Sequence, residues 1–153
     1  KLLPVAVLQA LNAETVEAVP QGMVIENMVP IMKFPYRVGR ESRVQQVNGK
    51  VERIERPKLD GKEPSNDLYL VDRGQLLNIS REHLMIETNG SGYKIVDRGS
   101  ACGIRINDQP VGGSDKGGSA VLADGDEITV GTKDSPYRFR FVDLSGFRLQ
   151  QGE

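Results

Sequence analysis

The sequence predicts an all-β sandwich, and three observations carry that expectation. Seventeen Gly and eight Pro divide the 153 residues into short apolar stretches, few of which have the length and 3.6-residue periodicity of an ordinary helix. Clusters of turn-forming residues separate nearly all of these stretches. Tyr137-Arg138-Phe139-Arg140-Phe141 alternates strictly, which puts Tyr137, Phe139 and Phe141 on a core face and both arginines in water. A single domain spanning 1–153 is the natural reading of the length, with a core from about 4 to 145 and a tail over 146–153. A domain of this size buries roughly 68–70% of the surface its unfolded chain exposes, enough for a core without disulfides or metal.

Eleven candidate strands follow in order. Pro4 to Leu11 is a short apolar run interrupted by Pro4 and Gln9, so it reads as a strand and not as a signal peptide. The missing initiator Met suggests a fragment or a processed chain. Thr15 to Val19 stops at the turn Pro20-Gln21-Gly22, Met23 to Asn27 comes after it, and Tyr36 to Val38 is next. From Glu41 to Asn66 the regular spacing fails: the stretch is charged, rich in turn residues and carries Pro57 and Pro64, and is expected to be an insertion. Val44, Val47, Val51 and Ile54 recur near a helical period, yet Asn48-Gly49 between them is a strong two-residue hairpin signal, so a hairpin or loop is preferred to a helix. Its cations Lys50, Arg53, Arg56, Lys58 and Lys62 nearly cancel its anions Glu52, Glu55, Asp60 and Glu63, as on a solvated face. The remaining strands are Leu68 to Val71, Leu84 to Glu87, Tyr93 to Val96, Ile104 to Ile106, Ser119 to Leu122, Glu127 to Val130 and Tyr137 to Val142. Asn89-Gly90-Ser91-Gly92, Gly112-Gly113-Ser114-Asp115 and Asp124-Gly125-Asp126 mark turns among them.

Composition removes several function classes. One cysteine, Cys102, cannot close an intrachain disulfide, and one histidine, His83, leaves too few soft ligands for a closed zinc site. A net charge of −1 provides no long-range field for a polyanion, so neither nucleic acid nor an anionic membrane surface is an expected partner. No apolar run approaches the roughly 18–20 residues that span a bilayer. Asp124, Asp126 and Glu127 lack the register of a calcium loop, and Gly112 to Ser119 lacks the spacing of a nucleotide phosphate cradle. No cofactor or metal is expected.

Catalytic arrangements are also poorly supported. Ser80 is the hydroxyl nearest His83 in sequence, but no Gly-x-Ser-x-Gly elbow surrounds it. Cys102 with His83 is the cysteine alternative, against the ordinary role of a lone Cys as a small hydrophobe. The chain is therefore expected not to be an enzyme. What remains is a set of loop residues in a definite order: Gly39-Arg40, Ser80-Arg81-Glu82-His83, Asp97 to Asn107 and Leu122 to Ile128. All lie at strand ends, and loops converging at one end of a sandwich would form an oxyanion pocket from an Arg, a Ser hydroxyl and further Arg side chains. Arginine suits it, because its planar fork donates paired hydrogen bonds to phosphate oxygens and stays charged at any working pH.

These groups resemble the pattern of the forkhead-associated (FHA) domain family: Gly39-Arg40, then Ser80-x-x-His83, then Gly103-x-x-Ile106-Asn107, then the late turn Asp124-Gly125-Asp126. The resemblance implies an FHA/SMAD-like sandwich of two sheets and about eleven strands that reads phosphothreonine in a partner's flexible segment, with a Ser/Thr kinase upstream. By position it implies Arg40 and Ser80 as phosphate ligands and Arg81 as a donor to phosphate or peptide. Gly39 would permit a tight approach, Gly103 and His83 would brace the loops, and Asn107 would close the turn after Ile106. Ala101 and Cys102 stand where the family commonly has Ser/Thr and Asn that touch the phosphate region and peptide backbone, and Ile104 replaces a common Thr. Two neutral hydrogen bonds lost, at roughly 0.5–1.5 kcal/mol each, would weaken binding ten- to a hundredfold. Arg98 and Arg105 are candidate compensating donors. The expected function is a phosphothreonine-binding signalling module of a larger protein, cytoplasmic or in another intracellular compartment. The alternative is a phosphate-independent protein interaction domain that uses a sheet face or the insertion.

Overall fold

The computed structural model describes residues 3–41, 44–47, 50–53 and 64–146, with 44–47 and 50–53 described through their backbone. In chain order it forms β1 (Ala6–Ala10), α1 (Ala13–Ala18), β2 (Met28–Ile31), β3 (Tyr36–Arg40), β4 (Val44–Val47), β5 (Lys50–Arg53), β6 (Leu68–Leu70), β7 (Leu84–Thr88) and β8 (Tyr93–Asp97). β9 (Ile104–Ile106), β10 (Gln109–Val111), β11 (Gly118–Leu122), β12 (Glu127–Val130) and β13 (Arg138–Asp143) complete it. Eleven of these strands make two sheets, ordered β10-β9-β12-β13-β1-β2 and β11-β8-β7-β3-β6, and β4-β5 forms a separate pair. The all-β sandwich expected from the sequence is the fold observed.

The core lies between the two sheets. β13 brings Phe139 and Phe141 inward, 2% and 0% exposed, while Arg138 and Arg140 alternate outward and are half-buried. Ile128 and Val130 flank them, and Val38, Leu68, Leu70, Leu84, Ile86 and Ile95 face them from the five-stranded sheet. Each such side chain, fully buried, contributes about 1.5–3 kcal/mol. Tyr93 closes one margin, its ring edge-on to Phe141 with centroids 4.9 Å apart.

Three elements differ from the expectation, each for a local reason. Thr15 to Val19 is not a strand, because Asn12 caps a helix there: its Oδ1 accepts from the Thr15 amide at 2.8 Å and from the Thr15 hydroxyl at 2.7 Å. Met23 to Asn27 is not a strand: a 3-10 turn at Gln21–Met23 leads into it, Ile25 makes a single bridge to Met28, and the strand forms one step later as β2. β2 and β10, each carrying a proline, are edge strands, where a missing ladder donor faces solvent. Within the expected insertion, β4 and β5 pair antiparallel with Val47 opposite Lys50. The Asn48-Gly49 turn, the charged residues 54–63 and the tail from 147 lie outside the described residues.

The register of the five-stranded sheet determines which loops meet. Val38 lies opposite Leu84, Leu84 opposite Asp97, and Asp97 opposite Gly118, all antiparallel, while β6 runs parallel to β3 with Leu70 beside Arg40. The ends of β3, β6 and β8 and the starts of β7 and β11 therefore share one edge of the molecule. At the other end, Leu122 lies opposite Tyr93, so the Asp124 turn leaves β11 away from that edge.

Candidate functional site

The shared edge joins three of the sequence's loop groups by short contacts. The Arg40 amide donates to the Ser80 carbonyl at 2.9 Å. The Ser80 amide donates to His83 Nδ1 at 2.9 Å, and the Ala101 amide donates to Ser80 Oγ at 3.0 Å. Ser80 is thus held through its amide, its carbonyl and one lone pair of its hydroxyl. Its own O–H proton remains free to donate. The flanking cations are Arg40, half-buried at the end of β3, and Arg81, exposed in the loop before β7. Among the described residues neither guanidinium has a hydrogen-bond or ion-pair partner.

His83 is fully buried and bridges two loops. Because Nδ1 accepts from an amide, the proton sits on Nε2, which donates to the Gly103 carbonyl at 2.7 Å. Burial holds its pKa below the ordinary imidazole value, against the opposing pull of the Gly103 carbonyl and of Asp97 and Asp72, so the neutral ring is favoured. With both nitrogens committed to the main chain, His83 is not placed to act as a base on the Ser80 hydroxyl or on Cys102. The Cys102 thiol points to the Leu77 carbonyl at 3.6 Å. Among the described residues no group of three His, Cys, Asp or Glu side chains is arranged to hold a metal.

Two glycines permit the assembly. A Cβ on Gly39 would sit 2.0 Å from the Arg81 carbonyl oxygen and 2.5 Å from Asn66 Nδ2, so the Ser80 loop can cross β3 only over a residue without a side chain. Gly103 has φ of +75°, and a Cβ there would also crowd the Val111 and Gly112 carbonyls.

Further supports carry no marker in the sequence motifs. Ser100, fully buried, donates its hydroxyl to Asp97 and accepts the Gly103 amide at 2.9 Å, fixing the loop that presents Ala101. Asp72 gathers the segment leading into Ser80, accepting from the Asn78 and Ile79 amides at 2.7 and 3.0 Å and from the Tyr137 hydroxyl at 2.9 Å. Burial and then that contact push the Tyr137 hydroxyl up to about 12. Asn66 bonds the Arg81 carbonyl at 2.7 Å. Asp97-x-x-Ser100 is a local pattern that a search for Asx-type turns would find. Asn66 and Asp72 reach partners across the fold, or loop residues several positions on, and offer no such cue.

Other candidates are placed elsewhere. The Arg98 guanidinium is occupied by Asn66 and Glu82. Arg105 turns to the Asp108 carbonyl of its own hairpin. Ile104 is a core residue, 1% exposed. Asn107 stands at the far end of β9 from Gly103, where its side chain donates to Asp126 at 2.8 Å and accepts the Glu127 amide at 3.0 Å. The Asp124 turn and Asn107 therefore clasp each other at the opposite end of the sandwich, because β12 runs antiparallel to β9. Of the four loop groups, three meet at the Ser80 end, and the Asp124 turn lies with Asn107 at the other.

Comparison with known proteins agrees with this arrangement. The FHA domain family model matches residues 58–131, which include Ser80, His83 and the loop from Arg98 to Gly103. The chain is 36% identical over 86 residues to an oxoglutarate dehydrogenase inhibitor of Corynebacterium jeikeium, covering 56% of this chain and 49% of that protein. It is likewise 36% identical over 86 residues to the glycogen accumulation regulator GarA of Mycolicibacterium smegmatis, covering 56% of this chain and 44% of that one. The chain spans about half the length of the curated relatives it matches. In architecture it is similar to the kinase-interacting FHA domain of kinase associated protein phosphatase, KAPP, from Arabidopsis, with TM-score 0.53 and 21% identity over 90% of this chain and 91% of that one. It is also similar to Mycobacterium tuberculosis EmbR, solved in complex with a low affinity phosphopeptide, with TM-score 0.52 and 19% identity over 92% of this chain and 24% of that one. The sequence match over the Ser80 and Gly103 loops and the similar sandwich around them make residues 58–131 similar to the FHA domain family and the fold that of FHA domains.

Proposed function

We propose that this chain is a non-enzymatic signalling module that binds phosphothreonine peptides through Arg40, Ser80 and Arg81. The observation that carries the reading is the state of Ser80: three of its polar functions are taken by main chain and histidine, and one O–H donor is left on a residue flanked by Arg40 and Arg81, whose guanidinium groups have no partner among the described residues. A phosphate monoester, with close to two negative charges at neutral pH and three acceptor oxygens, matches that donor set. Charge-assisted bonds of about 1.5–3 kcal/mol each, with peptide backbone contacts added, reach micromolar affinity at about −8 kcal/mol. Unphosphorylated peptide binds far more weakly, and glutamate is a poor mimic.

Ala101 bears on this reading through its amide, so replacement of the family's common Ser/Thr leaves the grip on Ser80 in place. Nothing in the site favours the phosphate-independent alternative. The partner is a protein phosphorylated by a Ser/Thr kinase, which puts the module in an intracellular compartment as part of a larger protein. The test is binding of a phosphothreonine peptide library, with unphosphorylated controls, to wild type and to Arg40→Ala. Selective binding lost in a folded Arg40→Ala supports the reading, and equal affinity of the two proteins overturns it.

A further inference from the structure

We propose that Asn66 and Arg98 form a clasp that positions Arg81 for the phosphate, with Arg98 acting on the loop and not on the ligand; the inference rests on the phosphothreonine reading above. Asn66, 3% exposed and two residues before β6, has both ends of its amide committed. Nδ2 donates to the Arg81 carbonyl at 2.7 Å, and Oδ1 accepts from Arg98 Nη1 at 2.7 Å. The amide has one workable orientation, since a carbonyl only accepts and a guanidinium only donates. The other arm of Arg98, Nη2, reaches Glu82 Oε1 at 3.1 Å. Two consecutive residues of the loop, 81 and 82, are thereby tied to one guanidinium, whose side chain is only 16% exposed.

The remaining contacts separate the clasp from Ser80. Ser80 is held independently by Arg40, His83 and Ala101, so the clasp governs the residue after it. Arg81 is exposed and its long side chain is rich in rotamers, and ordering it on binding carries an entropic penalty that grows if its main chain is loose. Fixing the carbonyl of Arg81 itself reduces that penalty. Arg98, offered by the sequence as an additional phosphate donor, has both terminal nitrogens bound within the protein, to Asn66 and Glu82, and acts as a positioning residue.

The test uses the full chain and one phosphothreonine peptide that wild type selects. Asn66→Ala, which changes no charge, weakens binding by about fivefold to tenfold, and Arg98→Lys, which cannot span both partners, does so in the same direction. Both penalties vanish in an Arg81→Ala background, whereas the Asn66→Ala penalty persists in Ser80→Ala. The second ionisation of the bound phosphate, followed by 31P NMR, rises in Asn66→Ala as it does in Arg81→Ala, because a guanidinium contact holds that ionisation down. If Asn66→Ala does not fold, Arg98→Lys carries the same cycle. Unchanged affinity in a folded variant, or a penalty undiminished without Arg81, overturns the clasp. Failure of the underlying reading is distinct: it shows as wild type that does not prefer phosphorylated peptide, and it removes the clasp as well.

Discussion

Gly39→Ala tests the geometry of the site with one methyl group. The new Cβ would lie 2.0 Å from the Arg81 carbonyl oxygen and 2.8 Å from its carbon, both main-chain atoms, and 2.5 Å from Asn66 Nδ2. Ordinary contact begins at 3.4 Å, so the oxygen would have to retreat by about 1.4 Å. That displacement breaks the 2.7 Å bond from Asn66 and pulls on the 2.9 Å bond between the Arg40 amide and the Ser80 carbonyl, one residue away. Overpacking of this kind costs about 1–3 kcal/mol, and a lost buried hydrogen bond adds about 1. Against a stability of about 5–15 kcal/mol the domain stays folded. Binding suffers more, because Ser80 and Arg81 move together: losing one charge-assisted bond of about 1.5–3 kcal/mol reduces affinity at least tenfold. Urea denaturation gives the first quantity and phosphopeptide titration the second. A Gly39→Ala protein with wild-type stability and affinity would refute the close approach on which the site depends.

Three other outcomes follow from the same contacts. Asn107→Ala removes the bonds to Asp126 and Glu127 and puts alanine at φ +49°, so it lowers stability by about 1–3 kcal/mol while leaving phosphopeptide affinity unchanged, which titration and denaturation of the same sample check. Asp72→Ala strips the acceptor from the Asn78 and Ile79 amides, lowering stability by about 2 kcal/mol and weakening phosphopeptide binding severalfold by loosening the approach to Ser80. His83 makes stability pH-dependent: its folded pKa lies below the unfolded value near 6.5, so the unfolded chain takes up the proton first and stability falls as pH drops below 6.5, down to the folded pKa. Denaturation midpoints measured across pH 7 to 5 should show that decline in wild type and a shallower one in a folded His83→Gln.

How much was legible depended on whether an element's cause was local. Glu127 to Val130 and Ile104 to Ile106 were bounded correctly because turn residues flank β-branched runs. Thr15 to Val19 was misread because Thr15, Val16 and Val19 look like strand residues, and the deciding fact, the Asn12 cap, is a single side-chain contact. β2 and β10 were not among the expected strands; Pro30 and Pro110 suit them only to an edge, and only the sheet order shows that they are edges. In the site, Arg40, Ser80 and His83 were legible as residue types at motif spacing. Asn66 was read as the end of an insertion, since its partners lie 15 and 32 residues away. Which end Asn107 and the Asp124 turn occupy was not legible, because spacing along a chain does not say in which direction β9 runs.

The substitutions at 101 and 102 first read as defects, and the structure gives the physical reason they need not be. Around Ser80 the fixed contacts are supplied mostly by main chain: the Ala101 amide, the Arg40 amide, and the Gly103 carbonyl that orients His83. An amide is present whatever side chain follows it, proline excepted. Position 101, exposed at the loop surface, can therefore change while the grip on Ser80 survives. The side chains that cannot change are the buried ones that bond the main chain of the loops: His83, Ser100 and Asn66. Removing any of them leaves a polar group without water or partner, at about 1–3 kcal/mol each. The constraint on this site thus lies beneath its surface, in the residues that hold the loops, and an exposed position that contributes only its amide, as Ala101 does, is the one free to vary.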